Sequence, residues 1–383
     1  MTGRCPQPSL SRNGTGSLRK TVTTLADGRR LIYYDESDAA PPRTDRDPRT
    51  LPPVTSQSQL RFDVLTGEWI TIAAHRMDRT YLPPAGASPL APSRPGRPAT
   101  EIPAADYDVV VFENRFPSLS VRAADLDLPQ YLDGEPLWPM KPGIGCCEVV
   151  CFTSDPHASF ATVGHRRART VIDVWADRTA ELSRLPGVAQ VFCFENRGRE
   201  IGVTLTHPHG QIYAYPYLPP RTEAVLRRAR LHRAATGANL FADVLDAERR
   251  ARRRVVVAGK RWTAFVPAAA RWPLEVHLMP HRDVADFTEL CGDERDELAT
   301  IYLDLLGRVD RFFDGVDETP YVAAWHQAPL GAERELGRLH LQLFSVMRAP
   351  HRLKYLAGSE SGMGAWINDT TPEDIAARFR EVR

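Results

Sequence analysis

Apolar and polar positions recur along this chain with the periods of strands and helices. Continuous or alternating apolar runs predict strands at residues 107–116, 146–152, 188–196 and 210–215, and in the segments VVVAG, WTAFVP and LEVHLMP. Residues 25–36 predict a hairpin of two short strands around the Asp27-Gly28 turn. A chain that mixes strands and helices in this way belongs to the α+β class.

Apolar side chains at helical spacing predict several helices between and after these strands. A helix near residues 167–184 separates two of the strands, and a long helix of basic and acidic residues runs from about Thr222 to Arg254. The segment DERDELATIYLDLLGRVDRFF predicts a third, clearly amphipathic helix. Thr371 followed by Pro372 is a helix-start signal and predicts a last helix near the end of the chain.

The two halves of the chain resemble each other. Residues 148–160 align without gaps on residues 275–287, and each segment precedes a helix, a strand and a histidine-containing strand. We therefore predict two repeated α+β units, each an antiparallel or mixed sheet with flanking helices, although few identities support the alignment and chance similarity is the alternative. The alignment places His207 and His209 on His340 and Gln342, so that the second unit lacks an equivalent of His209.

Polar and proline-rich segments divide the chain. Residues 1–18 predict a mobile tail, 37–60 an extended connector and 81–98 a loop rich in proline. The predicted units are residues 19–220, which hold the two-histidine motif, and residues 221–383, a degenerate copy.

Composition excludes several classes of function. The formal net charge of +1 gives no global field that would attract nucleic acid or an anionic membrane. The arginine-rich run at 249–254 follows two acidic residues and is expected to be a solvated helix end. No apolar run is long enough to span a bilayer, and the amino-terminal segment lacks the apolar core of a secretion signal, so we expect a cytosolic protein with reduced cysteines.

The segment THPHGQIY, residues 206–213, carries the candidate chemistry. Its two histidines could hold a metal, act in covalent catalysis or be unrelated core residues. On a strand, His207 and His209 share one face, and Pro208 between them indicates an edge or a bulge. Neutral imidazole attacks phosphorus when a backbone carbonyl holds one ring N–H and leaves the other nitrogen free. This motif favours a histidine nucleophile.

The motif H-P-H-G-Q and the preceding FENRGREIGVTLT resemble the galactose-1-phosphate uridylyltransferase family of the histidine-triad superfamily. The similarity extends from about Thr21 to the C-terminus through LTGEWITIAAHR, CFTSDPH, WPLEVHLMP, AWHQAP and HRLKYLAGSESGMGAWINDTTPE. It implies a repeated histidine-triad fold and a homodimer. It also implies that UMP passes from UDP-glucose to a hexose 1-phosphate, chiefly galactose 1-phosphate, through a uridylyl-histidine in galactose metabolism.

The resemblance assigns catalytic roles to two residues. His209 matches the nucleophile, and Gln211 matches the glutamine that hydrogen-bonds the phosphoryl oxygens. A glutamine side chain steadies these oxygens but cannot relay a proton near neutral pH. It should therefore favour transfer to a sugar phosphate over hydrolysis.

Further positions match substrate-binding residues of the family. They are Arg76, Arg79, Asn114, Phe116, Asn196, Gly202, Thr204, Gln211, Lys354, Tyr355, Gly358 and Glu360. The last four lie in a segment that crosses the dimer interface in the family. Two positions depart from the pattern: Arg115 stands where some members have aspartate, and Trp366 where some place a sugar-binding glutamine.

The metal sites of the family also depart from its pattern. His157 and His207 match two zinc ligands, but Ser88 and Ala91 occupy the thiolate positions. Two histidines without thiolates do not close a tetrahedral zinc site, so we expect zinc to be weakly held or missing, with water or another side chain filling the shell. The alternative is that His157 holds His207 by a hydrogen bond.

A second metal site of some members would use His326 and His340. Gln342 replaces the third histidine, and Glu223 is only the nearest candidate for the glutamate. We expect no iron and no organic cofactor.

Two rival functions remain at this point. One is a related nucleotidyltransferase or a phosphorylase that acts on another nucleotide sugar, and the other is a non-catalytic nucleotide-binding protein. The intact His209 and Gln211 argue against the second.

Overall fold

The structure is a computed structural model that describes residues 18–78, 83 and 88–382 of the 383-residue chain. All but the last residue of the predicted tail therefore lies outside the described residues. The strands are β1 Arg19–Thr24, β2 Arg30–Asp35, β3 Gln59–Asp63, β4 Glu68–Ile72, β5 Val109–Glu113, β6 Met140–Pro142, β7 Cys146–Cys151, β8 Gln190–Arg197, β9 His209–Tyr215, β10 Val255–Ala258, β11 Trp262–Phe265, β12 Leu274–Pro280, β13 Tyr321–His326, β14 His340–Ser345, β15 Met347–Ala349 and β16 Arg352–Leu353. The helices are α1 Gly164–Leu182, α2 Pro220–Thr236, α3 Leu240–Ala251, α4 Gly292–Asp310 and α5 Pro372–Glu381.

Eleven strands form one antiparallel sheet that is nearly symmetric about its centre. Its order is β1-β2-β5-β7-β9-β8-β13-β14-β12-β11-β10. The central pair, β8 and β13, joins the two halves, with Phe194 opposite Ala324. On either side the same sequence of elements recurs, because β7-α1-β8-β9 corresponds to β12-α4-β13-β14. This mirrored order supports the predicted duplication and the α+β class.

The gapless alignment of the two halves is wrong by one residue in the strands. It places Val150 on His277, but Val150 belongs to the main apolar core, as do Val276 and Leu278 on either side of His277. Successive side chains of a strand point to opposite faces, so His277 faces away from that core. A single-residue shift must lie between the strand and the aromatic residue that follows it in each half.

The predicted alignment of the two histidine motifs must also be corrected. Nδ1 of His209 lies 2.7 Å from the carbonyl oxygen of His207, and Nδ1 of His340 lies 2.8 Å from that of Arg338. This shared contact pairs His209 with His340 and Gln211 with Gln342. The prediction that the second unit lacks a structural equivalent of His209 is therefore wrong.

The main core lies between one face of the sheet and the helices α1 and α4. Trp175 of α1 and Tyr302 of α4 meet Phe160 and Trp325 there, with ring centroids 4.9 to 6.4 Å apart. The side chains of His209 and Gln211 alternate with those of Ile212 and Ala214, which belong to this core. They therefore lie on the opposite face of the sheet, away from the helices.

Several predicted elements need correction. The long helix predicted at 222–254 is two helices, because Gly237 ends α2 with a φ of 74° and the Asn239 side chain caps α3. The first strand of the predicted hairpin ends at Thr24, before the segment assigned to it, while the turn at Asp27-Gly28 is confirmed. The Thr371 cap is also confirmed, since its hydroxyl accepts from the Asp374 amide.

A small sheet, β4-β3-β6, stands beside the large one. Its strand β4 leads into a single 3-10 turn, Ala74–Asp78, which carries Arg76. Of the helices in the described part of the chain, none combines the length and the apolarity needed to cross a membrane.

A buried ion pair joins the sheet to α1 and gives a test of the core. Arg178 donates two hydrogen bonds to the Glu148 carboxylate, at 2.9 and 2.7 Å, and both residues are buried. Glu148→Ala would remove the buried partner of Arg178 and leave its guanidinium paired with the partly exposed Glu181 carboxylate, so we expect the free energy of unfolding to fall by about 3 kcal/mol. Equilibrium unfolding in urea measures this change.

The matched control is Asp314→Ala, which breaks the surface pair with Arg378. We expect that substitution to change the free energy by less than about 0.5 kcal/mol. Equal losses in the two variants would show that the Glu148 pair does not depend on its burial.

Candidate active site

His209 is the first residue of β9 and follows directly on His207 and Pro208. Its Nδ1 lies 2.7 Å from the backbone oxygen of His207, which can only accept a hydrogen bond. Nδ1 therefore carries the proton, and Nε2 holds the free lone pair. Burial lowers the pKa of His209, which keeps the ring neutral at physiological pH. The side chain is thus prepared as a nucleophile.

A cavity opens beside this histidine. It is lined by His209, Asn196, Arg199, Glu200, Ser159 and Thr319, among others. The structure therefore brings the predicted residue Asn196 together with His209. Gly202 and Thr204 belong to the segment between β8 and β9 that forms one wall of this cavity. Gly202 has a φ of 81°, a left-handed conformation that favours glycine, at the turn that starts this segment.

Gln211 follows on the same face of β9, opposite Phe194 of β8. The Tyr213 hydroxyl lies 3.3 Å from its side-chain oxygen. Arg76 lies near the same phenol, because its charge lowers the pKa of Tyr213 against the larger effect of burial, so Arg76 and Gln211 both lie close to Tyr213. Tyr213 was missed by the sequence analysis. The second predicted arginine, Arg79, lies outside the described residues.

The loop after β5 adds the next group of predicted residues. The Asn114 side chain accepts a hydrogen bond from the Phe116 amide at 2.9 Å, and the Phe116 carbonyl accepts one from Arg76 at 2.6 Å. Asn114 and Phe116 therefore lie beside the predicted phosphate-binding arginine. Arg115, the departure between them, extends to Glu101 at 3.6 Å and remains 44% exposed. Its charge is thus partly balanced by the loop that precedes β5.

The predicted C-terminal binding segment lies elsewhere in this chain. Lys354 donates to the carbonyl oxygens of Arg271 and Ile367, and Trp366 packs against Trp272 with ring centroids 5.2 Å apart. Trp272 precedes β12 and stacks on Phe344 of β14. These strands are three and four positions from β9, or roughly 14 to 19 Å. Lys354, Tyr355, Gly358 and Glu360 therefore do not join His209 within one chain.

The ring of His207, two residues before His209, is buried and hydrogen-bonded. Its Nε2 lies 2.9 Å from the carbonyl oxygen of Thr153 and 2.9 Å from the hydroxyl of Tyr107. Since a carbonyl only accepts, Nε2 carries the proton, and the Tyr107 hydroxyl in turn donates towards the Leu90 carbonyl at 3.4 Å. Burial lowers the pKa of His207 to about 4, so this ring is also neutral.

Comparison with known proteins identifies the family of this chain. Residues 52–219 match the family described as galactose-1-phosphate uridyl transferase, N-terminal domain, and residues 226–382 match its C-terminal domain. The chain belongs to the galactose-1-phosphate uridylyltransferase family. A galactose-1-phosphate uridylyltransferase of Streptomyces lividans is 47% identical over 381 residues, covering 95% of this chain and 98% of the relative. One from Thermotoga maritima is 33% identical and covers 85% and 98%.

Solved structures agree with this family. A structure described as a uridylyltransferase superposes with a TM-score of 0.72 and 30% identity, covering 85% of this chain and 98% of that chain. An ADP-glucose phosphorylase from Arabidopsis thaliana superposes with a TM-score of 0.63 at 21% identity and covers 85% and 99%. The second similarity indicates a shared fold only.

The residues present do not fit the zinc site of the uridylyltransferase family. Ser88 and Ala91 supply no thiolate, His157 is exposed, and the Nε2 of His207 already donates to Thr153. The alternative in which His157 holds His207 is wrong, because Tyr107 and Thr153 occupy that role. Within residues 18–78, 83 and 88–382, no group of three or more histidine, cysteine, aspartate or glutamate side chains is arranged to hold a metal ion.

Three of the residues matched to the second metal site, His326, His340 and Gln342, lie together on the paired strands β13 and β14. His326 stacks on His340 with ring centroids 4.8 Å apart, and Gln342 donates to Glu275 at 2.7 Å. Glu223 lies on the exposed first turn of α2. Glu275 was not predicted from the sequence as a member of this cluster, although the polar residues inside the apolar strand LEVHLMP could have indicated it.

The contact between Tyr107 and His207 generates a prediction. Tyr107→Phe removes the hydroxyl while keeping the ring, so the buried Nε2 proton and the Leu90 carbonyl each lose a partner. We expect the free energy of unfolding to fall by about 1 kcal/mol, measured in urea at neutral pH.

Tyr33→Phe is the matched control for this substitution. Tyr33 is buried in the same apolar cluster, and its hydroxyl has only a long 3.4 Å contact with the Ala104 amide. We expect a loss below about 0.5 kcal/mol there. If both variants lose the same free energy, the hydrogen bond to His207 is not what stabilises this site.

Proposed function

We propose that this chain is a UDP-glucose–hexose-1-phosphate uridylyltransferase that uses galactose 1-phosphate as acceptor and serves galactose metabolism. The observation that carries the proposal is the state of His209, whose Nδ1 proton is bound to the His207 carbonyl while Nε2 is free. Gln211 lies on the same face of β9 and accepts a hydrogen bond from the Tyr213 phenol, and Arg76 lies close enough to this phenol to lower its pKa against the larger effect of burial. A nucleophile next to an amide and a guanidinium suits attack on a phosphoryl group.

In the first half-reaction, the Nε2 lone pair of His209 attacks the α-phosphorus of UDP-glucose. The bond from this phosphorus to the bridging oxygen breaks, and glucose 1-phosphate leaves with the bonding electrons. The ring then bears a positive charge, which the His207 carbonyl stabilises through the Nδ1 proton. Arg76 and the Gln211 amide offset the negative charge on the phosphoryl oxygens.

In the second half-reaction, a phosphate oxygen of galactose 1-phosphate attacks the same phosphorus. The P–N bond breaks, its electrons return to Nε2, and UDP-galactose is released. No proton needs to move in either half-reaction. The oxygen that leaves in the first step and the oxygen that attacks in the second both belong to sugar phosphates, which need neither gain nor lose a proton. Gln211 suits this chemistry, since it donates hydrogen bonds without relaying a proton to or from water.

We also propose that the active enzyme is a homodimer. The segment with Lys354, Tyr355, Gly358 and Glu360 starts beside β12 and β14, strands that lie roughly 14 to 19 Å from β9 of the same chain. Tyr355 and Met363 in this segment are 77% and 83% exposed. The second copy would accept this segment beside its own His209, so that the hexose phosphate binds between the two chains. The enzyme is expected to act in the cytosol, without nucleic acid, membrane or organic cofactor.

One alternative keeps the chemistry and changes the sugar. Trp366 stands at the position of a sugar-binding glutamine and packs on Trp272. An indole ring cannot accept the hydrogen bonds of a sugar hydroxyl as a glutamine does. A related nucleotidyltransferase or phosphorylase acting on another nucleotide sugar is therefore the second candidate.

Covalent labelling tests the proposal. Incubation with UDP-glucose labelled at the α-phosphorus, followed by quenching, should leave about one label per active site on the protein. We expect His209→Gly to carry no label, because the variant lacks the attacking nitrogen. His351→Gly is the matched control: its backbone φ of 59° suits glycine and the side chain is exposed, so labelling should persist.

An unlabelled native protein would leave only a nucleotide-binding role, and a labelled His209→Gly variant would show that another residue is the nucleophile. A panel of sugar 1-phosphates added to the labelled protein separates the two enzymatic candidates. Galactose 1-phosphate should discharge the label fastest.

We further propose that zinc is weakly held or missing and that iron is absent. The absent thiolates at Ser88 and Ala91 and the donor role of His207 support this proposal. Elemental analysis of protein purified without added metal should find far less than one zinc or iron per chain, and chelator treatment should leave the labelling rate unchanged. One tightly bound zinc per chain would contradict it.

A further inference from the structure

Tyr213 occupies the same face of β9 as His209 and Gln211, one step further along the strand. Its hydroxyl lies 3.3 Å from the side-chain oxygen of Gln211. Burial raises the pKa of Tyr213, so the hydroxyl keeps its proton at neutral pH. This proton is available for one hydrogen bond.

The direction of that hydrogen bond follows from the chemistry of its two atoms. The side-chain oxygen of Gln211 can only accept, so the Tyr213 hydroxyl donates to it. Burial raises the pKa of Tyr213, and the nearby Arg76 and Ser118 act in the opposite direction. The amide NH₂ of Gln211 is left to face the substrate.

We propose that Tyr213 is a positioning residue that fixes which end of the Gln211 amide faces the α-phosphoryl group. Without this restraint, the side-chain amide of Gln211 can rotate by about 180° and direct its oxygen at the phosphoryl oxygens. The two negatively polarised groups would then repel each other. The hydrogen bond from Tyr213 excludes this orientation. This inference rests on the proposed uridylyl transfer and adds to it a residue that never touches the reacting atoms.

The contribution of the Tyr213 hydroxyl can be tested separately from that of its ring. Phe194 lies edge-on to the ring with centroids 5.1 Å apart, and Tyr215 follows at 5.9 Å. Replacing tyrosine by phenylalanine keeps these ring contacts and removes only the hydroxyl. Tyr215 supplies the matched control, since it lies on the same face of the same strand and its ring continues the row to Tyr217 at 5.8 Å.

The first test is the effect of Tyr213→Phe on each kinetic constant. We expect kcat to fall about 10-fold, because one hydrogen bond to a group that meets developing charge is lost. The KM for galactose 1-phosphate should change less than about 2-fold, because its sugar contacts lie elsewhere. Tyr215→Phe should leave both constants near those of the native protein. Equal effects of the two substitutions would overturn the proposal.

The second test asks whether Tyr213 acts through Gln211. In a Gln211→Leu background there is no amide to orient, so adding Tyr213→Phe should cause no further loss of labelling rate. Additive losses in the double variant would overturn the proposal, because they would assign Tyr213 a separate role.

A third measurement does not depend on turnover. UMP binding, followed by calorimetry, should be weakened about 3-fold by Tyr213→Phe and unchanged by Tyr215→Phe. If the native protein takes no label, the proposed transfer fails, and this affinity still decides the role of Tyr213. If the native protein takes label but neither its rate nor UMP binding responds to Tyr213→Phe, the inference about Tyr213 alone is rejected.

Discussion

The hydrogen bond between the Nδ1 of His209 and the carbonyl oxygen of His207 decides what this site can do. It fixes the tautomer, leaves Nε2 unprotonated and receives the positive charge that forms when phosphorus is attacked. Its geometry depends on how the His207 residue is held. The buried ring of His207 is bound to Thr153 and Tyr107, and β9 pairs with β7 on one side and β8 on the other. The nucleophile is therefore positioned by the sheet.

The second half of the chain shows that this contact is not sufficient. His340 makes the same hydrogen bond to the carbonyl of Arg338, yet its ring stacks on His326 and lies 5.1 Å from Phe241, centroid to centroid. Burial lowers the pKa of His340 to about 3. Its neighbour Gln342 donates to Glu275, whereas Gln211 accepts from Tyr213. The duplicated strands thus keep one hydrogen bond from a histidine ring to the backbone, and the side chains packed around the ring differ between the proposed nucleophile and its counterpart.

The sequence predicted the local features well. H-P-H-G-Q predicted a strand on which His207 and His209 share one face, but β9 begins at His209 and His207 precedes it. The segments FENRF and AAHR come together around Arg76. The sequence did not predict contacts between residues that are far apart along the chain. Tyr107 contacts His207 across 100 positions, and no periodicity signals such a contact. Gly237 and Asn239 are stop and start signals for helices, but the long run of helix-forming residues around them favoured the prediction of one continuous helix. The single-residue slip between the halves arose because apolar strands look alike in either register.

The proposed loss of zinc would leave His207 held by the Tyr107 hydroxyl and the Thr153 carbonyl. A closed zinc site joins distant segments by coordination, and here Tyr107 joins His207 to the Leu90 segment by hydrogen bonds. Each such bond contributes only about 1 kcal/mol, so the arrangement needs the buried environment that surrounds it. Burial holds the pKa of His207 near 4, below the value of about 6.5 in an unfolded chain. The neutral ring therefore stabilises the fold fully above pH ~6.5, and that contribution is lost as the pH falls towards 4. Within the neutral range, the contacts that hold His207 beside the proposed nucleophile are therefore the hydrogen bonds of a neutral ring.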